Sequence, residues 1–170
     1  MATCFRWSPK GDLMAINSKG GKTSVFDIRK QDTDVMAFKV HDGPKAQKNA
    51  WINDTTLITS GFNRQAEREY ATWDIRNTTQ AVARGKLGDG AGVGHLYFDM
   101  EHGILYNAGR GDMAIGIYQY SSALPSNLNH LYDLNGPSPT KGFSLLPKWC
   151  LDPQKHEIDR GVHMTNDKHI

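Results

Sequence analysis

Val25-Phe26-Asp27-Ile28-Arg29 and Thr72-Trp73-Asp74-Ile75-Arg76 are two versions of one pattern, with 47 residues between Asp27 and Asp74. Ile117-Tyr118-Gln119-Tyr120 repeats it more weakly, with Tyr118 placed 45 residues after Trp73. In each, an apolar strand ends on an aromatic residue, a polar residue follows, and the chain turns. A recurrence of about 40–45 residues with this ending is the signature of four-stranded blades stacked as a propeller. Few other folds tolerate that constraint.

The chain divides accordingly into units at 1–40, 41–87, 88–124 and 125–170, about three and a half blades. In the first, Phe5–Ser8, Leu13–Ile16 and Thr23–Ile28 read as strands separated by turns at Pro9-Lys10-Gly11-Asp12 and Ser18–Lys22. Such spacing makes a meander and leaves no room for a crossover helix. Val35–Val40 is the outer strand. The second unit has strands at Ala50–Ile52, Thr56–Thr59, Tyr70–Ile75 and Ala81–Leu87, with a long charged turn from Gly61 to Glu69. Long charged turns on a rigid scaffold serve as contact sites, with a merely solvated turn as the alternative. Gly94–Asp99, Gly103–Asn107 and Ile115–Tyr118 build the third unit. Leu128–Leu134 follows, Phe143–Pro147 opens the fourth unit, and Glu157–Met164 is its next strand before a polar tail.

Composition supports an all-β chain. Seventeen glycines fall between the strand-like runs, as closely spaced turns require. Lys+Arg 20 against Asp+Glu 18 gives a net charge of +2 without long runs of either sign, which argues against nucleic acid as a partner. The apolar runs are too short to span a membrane, and the first residues hold no signal-peptide core. Cys4 and Cys150 then read as free thiols of a cytoplasmic protein.

The candidate chemistry is sparse. His41 sits in the connection before the second unit, where a blade histidine packs beneath a strand-end Trp. Its expected partners are Trp73, a hydroxyl from Thr59 or Ser60, and an acid in the following turn. Asp74 belongs to the same blade core, and Asp112 holds the turn-acid position of the third unit; Glu67 and Gly20 stand at the matching places in the other two. His95, Asp99 and His102 lie close in sequence, but strand alternation puts His102 beyond a turn, which disfavours a metal site. Gly88-Asp89-Gly90-Ala91-Gly92 lacks the Lys-Ser/Thr and the helix of a phosphate loop. Arg110-Gly111-Asp112, Asn53-Asp54-Thr55 and Asn77-Thr78-Thr79 are short matches without supporting context. No nucleophile has a recognisable paired base. The reading is a non-enzymatic chain without cofactor or metal.

Four stretches together resemble the coronins, actin-associated WD-repeat proteins. They are Phe5-Arg6-Trp7-Ser8-Pro9-Lys10-Gly11; Thr59–Arg64 with Glu67-Arg68 and Trp73-Asp74; Gly109–Asp112; and Pro147-Lys148-Trp149-Cys150-Leu151-Asp152 through Lys155–Arg160. The last is the most specific, since ordinary WD repeats lack it. The resemblance implies a WD40-type β-propeller, incomplete here and matching roughly blades four to seven of seven. The blades before these, the extension under the propeller and the oligomerising coiled coil would lie outside the chain. It further implies a scaffold that binds filamentous actin, meets other actin regulators and is associated with the cytoskeleton. The family's actin-contacting arginine belongs to the first blade and has no counterpart here. The turn bases Arg64, Arg68, Lys141, Lys148 and Arg160 are therefore the expected contacts.

The alternative is a generic WD-repeat module that docks another protein through its turn face. Under either reading an open stack of blades presents apolar flanks, which self-association or further blades must cover.

Overall fold

The computed structural model describes residues 2–30 and 34–165, so the polar tail from 166 onward lies outside the described residues. Three four-stranded antiparallel sheets follow one another, each a meander in chain order. The first holds β1 (Ala2–Trp7), β2 (Leu13–Ser18), β3 (Lys22–Asp27) and β4 (Asp34–Lys39). The second holds β5 (Lys48–Trp51), β6 (Thr56–Phe62), β7 (Arg68–Asp74) and β8 (Ala83–Lys86). The third holds β9 (Gly94–Asp99), β10 (Ile104–Gly109), β11 (Ala114–Tyr120) and β12 (Leu128–Asn135). A two-stranded sheet of β13 (Thr140–Leu145) and β14 (Gly161–Thr165) ends the described chain. The inner strands β1, β5 and β9 stand side by side, and β13 packs on β9 and β10.

Alternation along β6 explains the stacking. Leu57 and Ile58 are both fully buried although they point to opposite faces of their sheet. Leu57 joins Ala15, Val25, Phe38, Trp51 and Trp73 in a core between the first and second sheets. Ile58 joins Tyr70, Leu87, Leu96, Leu105 and Tyr118 in a core between the second and third. The second sheet is therefore covered on both faces. The outward face of the first sheet is not: Phe5 is 61% exposed and Trp7 48%, and their β2 partners Ile16 and Met14 are only partly buried.

The turns follow side-chain chemistry. In Pro9–Asp12, Gly11 takes φ +73, and the Ser8 hydroxyl donates to Asp12 Oδ1 at 2.9 Å while accepting from Leu13 N–H. The expected nine-residue turn from Gly61 to Glu69 is shorter. β6 runs on through Phe62 and β7 begins at Arg68, which pairs with it, leaving residues 63–67 as the turn. Asn63 closes that turn by accepting from the amides of Gln65 and Glu67, with Ala66 at φ +62.

Two boundaries differ from the sequence reading. β12 is the fourth strand of the third sheet, paired to β11, so that unit runs to Asn135 rather than ending at residue 124. The strand expected over Glu157–Met164 starts only at Gly161. Two 3₁₀ turns, Lys148–Cys150 and Pro153–Lys155, precede it, and the Ile158 carbonyl and Glu157 carboxylate are engaged by Lys148 and by the Asp152 amide. Backbone committed to those contacts does not pair as strand.

Candidate functional site

The second sheet is locked at the end where its second and third strands turn. The Trp73 indole N–H donates to Thr59 Oγ1 at 3.1 Å, His41 Nε2 lies 3.0 Å from the same oxygen, and His41 Nδ1 lies 2.7 Å from Glu69 Oε1. The His41 side chain is wholly buried, in the space left by Gly61, where a Cβ would come within 2.4 Å of the ring. Phe38 covers Trp73 with ring centroids 4.9 Å apart, and Arg84 pairs with Glu69 while donating to the Val40 carbonyl. Burial pushes the Glu69 carboxyl up, but the hydrogen bond from His41 and the charges of His41 and Arg84 bring it below the ordinary value.

Of the two hydroxyls considered, Thr59 is the one that meets His41 and Trp73. Ser60 points to the other face and is buried beside Gly94, at the third sheet. The acid is Glu69 and not the turn residue Glu67, because the longer ladder places Glu69 in β7. Asp74 closes the strand end instead: it accepts from the Arg76 amide and side chain, and these hydrogen bonds lower its carboxyl to about 2. Asp27 and Arg29 repeat that clamp, again with the carboxyl lowered to about 2. The recurring Asp-Ile-Arg in the sequence is this clamp.

Against the third sheet, an arginine from β7 of the second takes the place that His41 takes against the second. Arg68 Nη1 donates to Asp112 Oδ2 at 2.7 Å, and a Cβ on Gly109 would meet both groups, as one on Gly61 would meet His41. The Arg68 side chain is 1% exposed, which corrects its expected role as a surface contact. Its place within the ladder turns it inward between the second and third sheets.

Lys148 is likewise committed. Its ammonium lies 2.9 Å from Asp99 Oδ2, 2.9 Å from Asp159 Oδ1 and 2.9 Å from the Ile158 carbonyl, one acceptor for each N–H. Tyr106 donates to Asp159 Oδ2 at 2.7 Å, and burial together with that carboxylate pushes the phenol up. Burial pushes Asp99 up, but hydrogen bonds from Lys148 and His102 bring it below its ordinary value. Asp99, Glu101 and His102 do approach one another, with Lys148 as the cation on Asp99; His95 points away, into a cleft between inner strands.

Among the remaining expected contacts, Arg64 is 78% exposed and sits 3.3 Å from Asp42, Lys141 is exposed on β13, and Arg160 pairs with Glu157. One exposed group was not anticipated. Trp149, 85% exposed, projects from the first 3₁₀ turn next to the anchored Lys148. No residue pattern marked it as exposed, since a Trp beside Cys150 and Leu151 reads as core.

Stacked four-stranded meanders, locked by a Trp–Thr–His–acid chain, define a WD40-type β-propeller, here incomplete. No protein-family model matches the chain. It is 30% identical to Coronin-A of Dictyostelium discoideum over 165 residues, 97% of this chain and 36% of that protein. The WD40 domain of Toxoplasma gondii coronin superposes with a TM-score of 0.89 at 32% identity, covering 97% of this chain and 43% of that one. The C-terminal WD40 domain of Sif2, at 13% identity and a TM-score of 0.62, shares the fold alone and covers 86% of this chain and 38% of its own. The chain is thus similar to coronins along nearly its whole length and spans less than half the length of these relatives. Among the described residues no helix is long and apolar enough to cross a membrane.

Proposed function

We propose that the chain is a non-catalytic scaffold that binds actin filaments, as part of a coronin-like propeller that organises the actin cytoskeleton in the cytoplasm. The observation that carries this reading is the match to coronins along 97% of the chain. With Arg68 and Lys148 engaged internally and Arg160 held by Glu157, the most open of the expected contacts are Arg64 and Lys141. Arg64 lies in the turn between β6 and β7. Lys141 follows Thr140, whose amide bonds the Asp112 carbonyl in the corresponding turn of the third sheet. Both therefore stand at one end of the stack, together with Lys19, Lys45 and Arg110. The exposed cations of this end, an end they share with Asp42, Glu67 and Asp89, suit the acidic surface of a filament.

Co-sedimentation of the full chain with actin filaments tests this. The chain should pellet with filaments at low salt, and Arg64→Glu combined with Lys141→Glu should weaken binding roughly fivefold or more, less as salt rises. The melting temperature should stay unchanged. A chain that never pellets refutes the reading, and unchanged pelleting of the double variant moves the contact off this end.

A further inference from the structure

A groove of about 750 Å³ runs between the outer strands of the second and third sheets, and the scaffold reading leaves it unused. Lys86 of β8 and residues 88–91 form one wall. The ladder between β11 and β12 builds the other, with Tyr118 paired to His130 and Gly116 to Asp133. His130 stands edge-on to the Tyr118 ring, centroids 5.2 Å apart, and its Nε2 lies 2.9 Å from Asp133 Oδ1. A Cβ on Gly116 would come within 2.8 Å of the same ring, so the glycine lets the phenol lie across its strand.

That phenol has no partner. Tyr118 is 7% exposed, and among the described residues its hydroxyl makes no hydrogen bond, although a buried tyrosine ordinarily finds one. The oxygen is not sealed in: it opens into the groove beside Gly88, where a Cβ would lie 3.6 Å away. Three carboxylates stand around it. Asp112 gives Oδ2 to Arg68 and Asp133 gives Oδ1 to His130, while Asp112 Oδ1 and Asp133 Oδ2 accept nothing among the described residues. Asp89, 84% exposed, pairs with Lys86 at the rim. Even with the buried Arg68 counted, the carboxylates outnumber the fixed cations. Burial first, then the charge of Asp133, pushes the Tyr118 phenol above its ordinary value; Arg68 opposes this, and Asp89 and Asp112 add to it.

We propose that this groove docks an arginine side chain carried by an extended segment of a partner protein, with the Tyr118 hydroxyl, Asp112 Oδ1 and Asp133 Oδ2 as its acceptors. A guanidinium is planar, always charged and rich in N–H donors held in a fixed fork, whereas an ammonium is a point charge. Its aliphatic stem has Met113, 52% exposed, and Ala91 to lie against. The volume also admits the backbone that flanks the side chain, which favours a peptide over a lone cation. Filament binding is a separate matter, since neither Arg64 nor Lys141 lines the groove.

The test is an NMR titration of the full chain, labelled at its methionine methyl groups, with the peptide acetyl-Gly-Ser-Arg-Ser-Gly-amide. The Met113 methyl, assigned through Met113→Leu, should shift as peptide is added and reach saturation. The matching citrulline peptide, which keeps the shape without the charge, should bind about tenfold more weakly. Free arginine, whose carboxylate the groove repels, should be weaker by about the same factor. The lysine peptide should be weaker by about threefold. Tyr118→Phe should weaken the arginine peptide about fivefold and leave the melting temperature unchanged, because the hydroxyl makes no internal hydrogen bond. Asp133→Asn, at a half-exposed side chain, should weaken it too. Absence of any Met113 shift at millimolar peptide overturns the proposal. So does equal binding of the citrulline peptide, the lysine peptide or free arginine, or binding indifferent to both Tyr118→Phe and Asp133→Asn. A lower melting temperature in Tyr118→Phe would mean that the hydroxyl already has a partner, and overturns it as well.

Discussion

Thr59 holds one hydroxyl, yet two buried ring nitrogens depend on it. Its oxygen receives the Trp73 N–H and faces His41 Nε2, while His41 in turn engages Glu69. Thr59→Val keeps the shape and leaves both nitrogens without a partner. The loss should be about 2–4 kcal/mol in urea unfolding, with the denaturant slope unchanged, since each orphaned buried group costs about 1–3 kcal/mol. A loss under about 0.5 kcal/mol would show that the lock carries no weight. Glu69 sets the pH dependence of the same lock. Its carboxyl is lowered in the folded chain, so the stability it lends is complete above its ordinary value of 4.5 and disappears as pH falls through the lower folded value. In the same urea series, Glu69→Gln should flatten that acid slope. His41 and Trp73 were legible from residue type and spacing, whereas the hydroxyl was narrowed only to Thr59 or Ser60 and the fold selects Thr59. Glu69 was not, because a two-residue extension of the ladder moved the acid out of the turn. Arg68 was misread for a related reason: a basic residue in a charged run reads as exposed, and its burial depends on Asp112, 44 residues away.

The segment from Lys148 to Arg160 is held as an element without regular pairing. Prolines at 147 and 153 shape its two 3₁₀ turns, and His156 at φ +56 ends the second. Its attachment to the third sheet is the Lys148 ammonium on Asp99 together with Tyr106 on Asp159. Replacing Lys148 with Met leaves two carboxylates, each under a tenth exposed, without their cation. Breaking a fully buried pair costs about 3–5 kcal/mol. Because the ammonium is 37% exposed, about 2–3 kcal/mol is expected here. Protease cleavage between residues 148 and 160 should accelerate in Lys148→Met, and adding Asp99→Asn should slow it again. Cleavage at the unmodified rate in Lys148→Met would mean that the prolines alone hold the segment. The sequence marked this stretch as the most distinctive in the chain, and its prolines announced turns. What the turns fasten to was not legible, because Asp99 and Tyr106 sit in another unit and carry no local sign of their partner.

At the scale of the molecule, the stack of sheets was readable from the repeat, and so was the exposure of its flanks. Phe5 and Trp7 share the outward face of the first sheet with Met14, Ile16 and Phe26, and Tyr132 and Leu134 are about half exposed on the outer strand of the third. An apolar sheet face of this kind is seldom left to water in a soluble monomer. The 170-residue chain produced alone should therefore associate, and light scattering should report a mass above 19.0 kDa at micromolar concentration. Phe5→Lys with Trp7→Lys should shift that mass downward without unfolding the chain. A monodisperse 19.0 kDa species from the unmodified chain would defeat the expectation.

The polar locks between units also have a direction. His41 lies before the second sheet and holds Glu69 within it; Arg68 of the second holds Asp112 of the third; Asp99 and Tyr106 of the third hold Lys148 and Asp159 beyond it. Each partner is supplied by a part of the chain made earlier. On a ribosome, where the amino end emerges first, every new sheet can dock on a finished predecessor as soon as it clears the exit tunnel. No lock among these waits for a far terminus, so elongation and assembly proceed in the same order.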